Sequence, residues 1–221
     1  MHPARITKLK ENKKMEEIKC NAVDKCEEAK QEFMSLFNQF ILPRPGADKL
    51  LEWLNKSDFF AAPASSRFHL SIPGGLAIHS LNVYHRLLSL VENEAANGFC
   101  PSGETVAVAA LLHDLCKVDL YKKVRKSRKT GEYYPNGKPV WEDYDSYECE
   151  DNLPYGHGEK SVYIASGFIR LTREEAMAIR WHMGPWRDDD KREQGKAFEL
   201  YKLAILTHIA DMEATYLDEN T

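Results

Sequence analysis

The chain has no long apolar run, no CxxC pair and no large excess of either charge. No segment approaches the ~20 apolar residues that a membrane-spanning helix needs. Met1 to Lys14 is polar and basic, with Arg5, Lys8, Lys10, Lys13 and Lys14 against a single Glu11. A secretory leader would need an apolar core there, so the expectation is a soluble, cytoplasmic protein with a solvated N-terminal tail. The five cysteines, Cys20, Cys26, Cys100, Cys116 and Cys149, form an odd set without the spacing of a short secreted framework. They read as reduced thiols. The formal charge of −4 argues against a general nucleic-acid coat protein, local basic patches apart.

What is present is enough apolar material for one sizeable core: 221 residues, 43% of them hydrophobic. Helical periodicity predicts a first helix from about Met15 to Phe40, ended by Pro43 and Pro45, and a second over Ala47 to Asn55 with Leu50, Leu51 and Leu54 inward. Residues 1–58 are therefore read as a helical extension, and 59–221 as the main domain. Phe59 to Gly75 is irregular, with Pro63, Pro73 and Gly74-Gly75. A helix then carries Leu76, His79, Val83 and Leu87 to about Asn93. His79 shares that inward stripe, though a lone inward histidine is more often a satisfied core residue than a ligand. His85 falls off the stripe and is read as a surface residue; His69 lines a pocket mouth or, preferably, caps a turn.

The next helix begins around Glu104, and Val106 to Leu112 is apolar on all sides, so it belongs in the core. His113 and Asp114 follow directly. A buried carboxylate costs several kcal/mol or more without a cation, and the chain supplies imidazoles sooner than arginines, which favours a metal site. From Tyr121 to Tyr155, the turn signals Thr130-Gly131 and Pro135-Asn136-Gly137-Lys138-Pro139 predict a β-hairpin or small sheet laid over the helices. Its first arm is basic and its later arm acidic, which cross-strand pairing explains without a ligand. The functional alternative is a flap whose basic residues and Tyr133, Tyr134 and Trp141 hold a phosphate- or base-bearing substrate. A helix is expected over Lys160 to Arg170. Thr172 to Glu175 reads as a capping box opening another, which stops at Trp181-His182-Met183-Gly184-Pro185. The last helix, Ala197 to about Tyr216, carries a second core carboxylate, Asp211, on the stripe Ala204, Thr207, His208 and Asp211.

One inward His or Asp means little; His79, the His113-Asp114 pair, His157, His182 and Asp211 recur over successive helical segments. This order, with Pro73 to Ser80 before the first histidine, His113-Asp114-Leu115-Cys116-Lys117 and His157-Gly158-Glu159, resembles the HD-domain metal-dependent phosphohydrolase superfamily from about Phe59 to Asp211. The resemblance implies an all-α HD-domain bundle with a hairpin insert at about 121–155, between the HD motif and the third histidine. It also implies a first ion on His79, His113, Asp114 and Asp211, and a second on His157 and His182 with Asp114 bridging. Six ligands exceed one tetrahedral ion and suit two metals about 3.5–4 Å apart. The all-nitrogen-and-oxygen set suits Fe, Mn, Co, Ni or Zn, with Mg as a further candidate, bound as one ion or two. Two such ions against two carboxylates leave a charge of about +2, which invites a phosphate, and bound water with its pKa lowered toward ~7 would attack phosphorus.

Within that scheme Asp114 and Lys117 are the catalytic candidates. Lys117, three residues on and on the same helix face, can reach the substrate phosphate; the plainer role is to neutralise a helix C-terminus. Glu159 and Arg180 are candidate substrate contacts. The implied partner is a small phosphate-bearing substrate, a nucleotide or a short RNA or DNA, and no membrane. The alternatives are a di-iron oxygenase of the myo-inositol oxygenase type and a non-catalytic, metal-stapled sensing domain.

Overall fold

A computed structural model describes residues 24–185 and 190–219. The first helix occupies 24–36 (α1) and runs into a π-helical turn, Phe37–Ile41, before Pro43 and Pro45. Its expected beginning, with Ile18 and Val23, lies outside the described residues, as do Cys20 and the basic segment Met1 to Lys14. The second helix is Ala47–Lys56 (α2), with Leu50 and Leu54 buried and Leu51 half-buried. Phe33, Phe37 and Phe59 are fully buried in the same core as the later helices, with Phe33 and Phe59 ring centroids 5.0 Å apart. A fully buried side chain of this size contributes on the order of 1.5–3 kcal/mol.

The third helix is Gly75–Glu94 (α3), entered through Gly74 at φ +74°, where a Cβ would also press on Cys26 Sγ at 2.8 Å. The fourth is Gly103–Leu111 (α4), capped by Ser102, whose hydroxyl accepts the Thr105 backbone N–H at 3.1 Å. Every residue of α4 from Val106 to Leu111 is buried, as the unbroken apolar run predicts. Helical geometry stops there. Leu112 and Asp114 adopt φ near −110°, and a short 3-10 turn, Leu115–Lys117, replaces the next α-turn. Lys117 therefore does not share an α-helical face with Asp114, as expected from the sequence; the tighter turn still brings the two together.

Tyr121–Tyr133 (β1) and Pro139–Cys149 (β2) form one antiparallel hairpin, with the turn at 134–138 and an irregularity between Lys129 and Tyr133, where Gly131 sits. The hairpin does not lie over the helices as expected: residues 127–138 are all exposed. Both of its faces carry charges that pair across the strands, so it has no apolar side to bury. Lys123–Asp145, Lys126–Glu148 and Arg128–Glu142 are such pairs.

The fifth helix is His157–Ser166 (α5), which begins and ends a few residues earlier than the expected Lys160 to Arg170 because Gly156 and Gly167 bound it. The sixth, Arg173–Trp181 (α6), opens on the expected capping box, with both reciprocal bonds formed between Thr172 and Glu175. The expected last helix is two: Asp190–Leu200 (α7) and Lys202–Glu213 (α8), broken at Tyr201, whose backbone is extended. A π-helical turn, Ala214–Asp218, follows α8. α3, α4, α6 and α8 pack on one another, and no helix among the described residues is long and apolar enough to cross a membrane.

Candidate metal centre

Three histidines reach the middle of this bundle with the same end foremost. His113, just past α4, places Nδ1 2.7 Å from the Ala110 carbonyl, and His182, just past α6, places Nδ1 2.7 Å from the Ile179 carbonyl. His79, on the inward stripe of α3, places Nδ1 3.0 Å from Glu219 Oε1. Each partner only accepts hydrogen bonds, so each Nδ1 carries the proton and donates. In the neutral ring the lone pair is then on Nε2, facing inward.

The Nε2 atoms gather around two carboxylates. His79 Nε2 lies 3.1 Å from Asp211 Oδ1 and 3.4 Å from Asp114 Oδ2, and His113 Nε2 is 3.3 Å from Asp114 Oδ2. On the other oxygen, His157 Nε2 is 2.9 Å and His182 Nε2 3.4 Å from Asp114 Oδ1. The approach of α5 to α6 that joins the last two depends on Gly158, where a Cβ would stand 2.1 Å from the Arg180 carbonyl. His79, His113, Asp114, His182 and Asp211 are buried, and His157 is half-buried.

Electrostatics favours a cation here. His79 Nε2 and His113 Nε2 are 3.2 Å apart, a distance at which two lone pairs repel unless a proton or metal ion lies between them. Among the described residues, His182 Nε2 is buried without a hydrogen-bond partner, and Asp114 Oδ2 has the ionic contact of Lys117 Nζ at 2.6 Å but no aligned hydrogen bond. Burial alone would raise the Asp114 pKa, but the Lys117 charge and the contacts from His113 and His157 outweigh it and hold the carboxyl well below the usual range. Burial likewise works against the charge on Lys117, and Asp114 more than restores it, so the ammonium stays protonated far above its ordinary value. Burial lowers His79 too, but Asp211 and Glu219 leave it at about 9. His113 and His157 are lowered, chiefly by burial. Triads of ligand-capable atoms within 4.8 Å of one another run through the centre: His79, His113 and Asp211, then His113, Asp114 and His182, then Asp114, Cys116 and His157. The residues present therefore fit a divalent ion bound through nitrogen and oxygen.

The model of the HD domain matches residues 76–214, more than half of the chain. The chain belongs to the HD-domain family. That family generally comprises metal-dependent hydrolases, and the matched segment contains all six of His79, His113, Asp114, His157, His182 and Asp211. Searches of curated proteins and of solved structures found no match.

The HD-domain centre brings together all six residues that the sequence singled out as ligands, and Lys117 with them. Glu159 and Arg180 stand farther out and ion-pair with each other, and the Arg180 guanidinium packs over the Trp181 ring at 4.0 Å. Glu159 lines an open cleft of about 540 Å³ beside the centre, together with Cys116, Leu120, Tyr155, His157 and Lys160. His85 is exposed and pairs with Glu32, as a surface residue should. His69 packs its ring on His79 with centroids 5.1 Å apart, and its Nε2 has no hydrogen-bond partner among the described residues. Sequence reasoning missed Glu219, which no periodic pattern marks. It also passed over Cys116, whose thiol lies 3.4 Å from His157 Nδ1 and is pushed far up in pKa, chiefly by burial.

Proposed function

We propose that this HD domain is a phosphohydrolase that cleaves a phosphomonoester or phosphodiester, with a nucleotide or short nucleic acid as the substrate class. The observation that carries this reading is the shared orientation of His79, His113 and His182, each with Nδ1 tied back and Nε2 turned toward Asp114 or Asp211. Tied-back rings are how proteins pre-orient imidazole ligands. His79, His113, Asp114 and Asp211 would hold a first ion, and His157 and His182 a second, with the two oxygens of Asp114 facing opposite halves of the set. When bound, divalent ions polarise a phosphoryl oxygen and lower the pKa of a water to about 7.

The chain's own residues do the rest. Asp114 keeps its negative charge in a buried place, because Lys117 offsets it. Lys117 has three donors; with one toward Asp114, the others can meet a phosphoryl oxygen and the charge that develops on it. Glu159, fixed by Arg180, faces the cleft where the substrate body would sit. Asp114 and Lys117 are both buried, so bulk water does little to screen these charges.

The test is hydrolysis of an aryl phosphate, an aryl phosphodiester and a nucleotide panel by protein loaded with Mn²⁺. Turnover that disappears in Asp114→Ala is expected. Fully loaded protein that leaves both ester classes intact overturns the reading, and oxygen uptake by iron-loaded protein would redirect it to an oxygenase.

A further inference from the structure

His79 is backed by a residue beyond the segment that matches the family. After the π-helical turn at Ala214–Asp218, the chain is pinned to α3: Arg86 Nε donates to Asp218 Oδ2 at 2.8 Å, and Arg86 also meets Glu213 at 3.5 Å. This delivers Glu219, only 8% exposed, to the inner side of α3. Its Oε1 and Oε2 stand 3.0 and 3.1 Å from His79 Nδ1, and Asn82 Nδ2 donates to Oε1 at 2.8 Å. His69 closes the far side, with Nε2 3.9 Å from Oε2. The corresponding anchors of His113 and His182 are neutral backbone carbonyls. His79 alone of the three is backed by a carboxylate.

We infer that Glu219 is a positioning residue of the metal centre, which fixes the His79 tautomer and orientation and strengthens Nε2 as a donor. The inference rests on the proposed reading of His79 as a metal ligand. A carboxylate behind a ligating imidazole both aims the ring and increases its basicity, and its loss typically lowers metal affinity about 10- to 100-fold. Glu219 never touches substrate; it acts through His79. Asn82 holds the carboxylate in register, so the Glu219 rotamer is fixed by α3 itself rather than by solvent.

The experiment uses Co²⁺ as the probe, with affinity read by chelator competition and the ring N–H protons of the loaded protein read by NMR. Glu219→Ala is expected to weaken Co²⁺ binding about 10- to 100-fold and to make one slowly exchanging ring N–H exchange fast. Glu219→Gln, which keeps an acceptor oxygen and guards against misfolding of the alanine variant, is expected to fall between it and the wild type. Asp218→Asn, which weakens the pin that delivers Glu219 but leaves the Glu219 carboxylate in place, is expected to lower affinity by less than Glu219→Ala does. Wild-type affinity in Glu219→Ala overturns the inference, as does a larger loss in Asp218→Asn than in Glu219→Ala. Loss of one whole ion from the stoichiometry in both Glu219→Ala and His69→Ala also overturns it, since Glu219 would then be a ligand. His79→Ala separates the two levels: if it binds Co²⁺ like the wild type, the ligand reading fails as well, whereas loss in His79→Ala with none in Glu219→Ala sinks only the role of Glu219.

Discussion

In the β1–β2 hairpin, Lys126 meets Glu148 at 3.1 Å and Arg128 meets Glu142 at 2.7 Å, with all four side chains between 41% and 64% exposed. Just past α4, Lys117 meets Asp114 at 2.6 Å with 8% and 1% exposed. The distances are alike and the residue types interchangeable, yet the consequences differ. Water screens the first set, and exposed pairs are worth between nothing and about 1 kcal/mol. The second set has surrendered its hydration, so removing either charge leaves the other stranded. Charge in the hairpin serves solubility and strand register; charge in the bundle is retained at a cost, which is the mark of a site. The Arg44–Glu175 pair adds a useful third case. It is buried like the centre, at 2.8 Å, but ties the segment ahead of α2 to α4 and α6, through Glu104 and Glu175, outside the ligand set.

The sharpest way to break this contrast is Asp114→Asn, which keeps the shape and removes the charge. Metal ions supply several kcal/mol of transition-state stabilisation, so the loss in kcat should be about a thousandfold or more, measured on an aryl phosphate with saturating Mn²⁺. Lys117→Met comes next. It fills the same volume without donors, and the expected fall in kcat is about 10²- to 10³-fold, the scale of removing one donor to a developing oxyanion. A Lys117→Met enzyme that turns over at the wild-type rate would make this lysine a helix-end neutraliser like any other.

Arg44→Met probes burial without catalysis. It strands Glu175, which is fully buried, and should cost about 3–5 kcal/mol of unfolding free energy in denaturant titrations, with kcat of the folded fraction unchanged. The effect should depend on pH in one direction. Burial would raise the Glu175 pKa, but Arg44 and the Thr172 backbone outweigh it and lower it. Its contribution is therefore complete above the unfolded value of about 4.3 and is lost as pH falls through the lower, folded value. The gap between wild type and Arg44→Met should narrow in acid, and a gap that widens there would contradict the pairing.

Much of the site was legible before any coordinates because its parts are local. The Leu76, His79, Val83 and Leu87 stripe aims one imidazole inward, the apolar run before His113-Asp114 buries that pair, and the capping box at Thr172 sets the start of α6 and hence the position of His182. What could not be read depends on distant chain segments meeting. Glu219 is 140 residues from His79 and sits on no periodic face. Arg44 is 131 residues from Glu175, so their pairing is equally invisible in the pattern. The break at Tyr201 escaped because apolar residues flank it on both sides and neither glycine nor proline marks it. The α5 boundaries differ from the expected Lys160 to Arg170 because the apolar pattern marks the buried face, while the helix already begins at His157 after Gly156 and ends before Gly167.

The smallest expected effect belongs to the hairpin, and it tests the other half of the contrast. Arg128 donates to Glu142 at 2.7 Å, and its guanidinium also lies 5.1 Å from the centre of the Tyr144 ring. Arg128→Ala should change unfolding free energy by less than about 1 kcal/mol, and that change should shrink further when salt is added. Exchanging the partners, as Arg128→Glu with Glu142→Arg, should recover most of it, because only the sign of the pairing matters in water. The distal strands reach no side chain of the centre, while Leu120 and Cys149 at their base border the cleft. Hydrolysis of a small aryl phosphate should therefore proceed at an unchanged rate in both variants. If instead KM for a nucleotide or oligonucleotide rises in Arg128→Ala while the aryl phosphate is unaffected, the hairpin charges contact substrate, and the exposed set is not spectator charge after all.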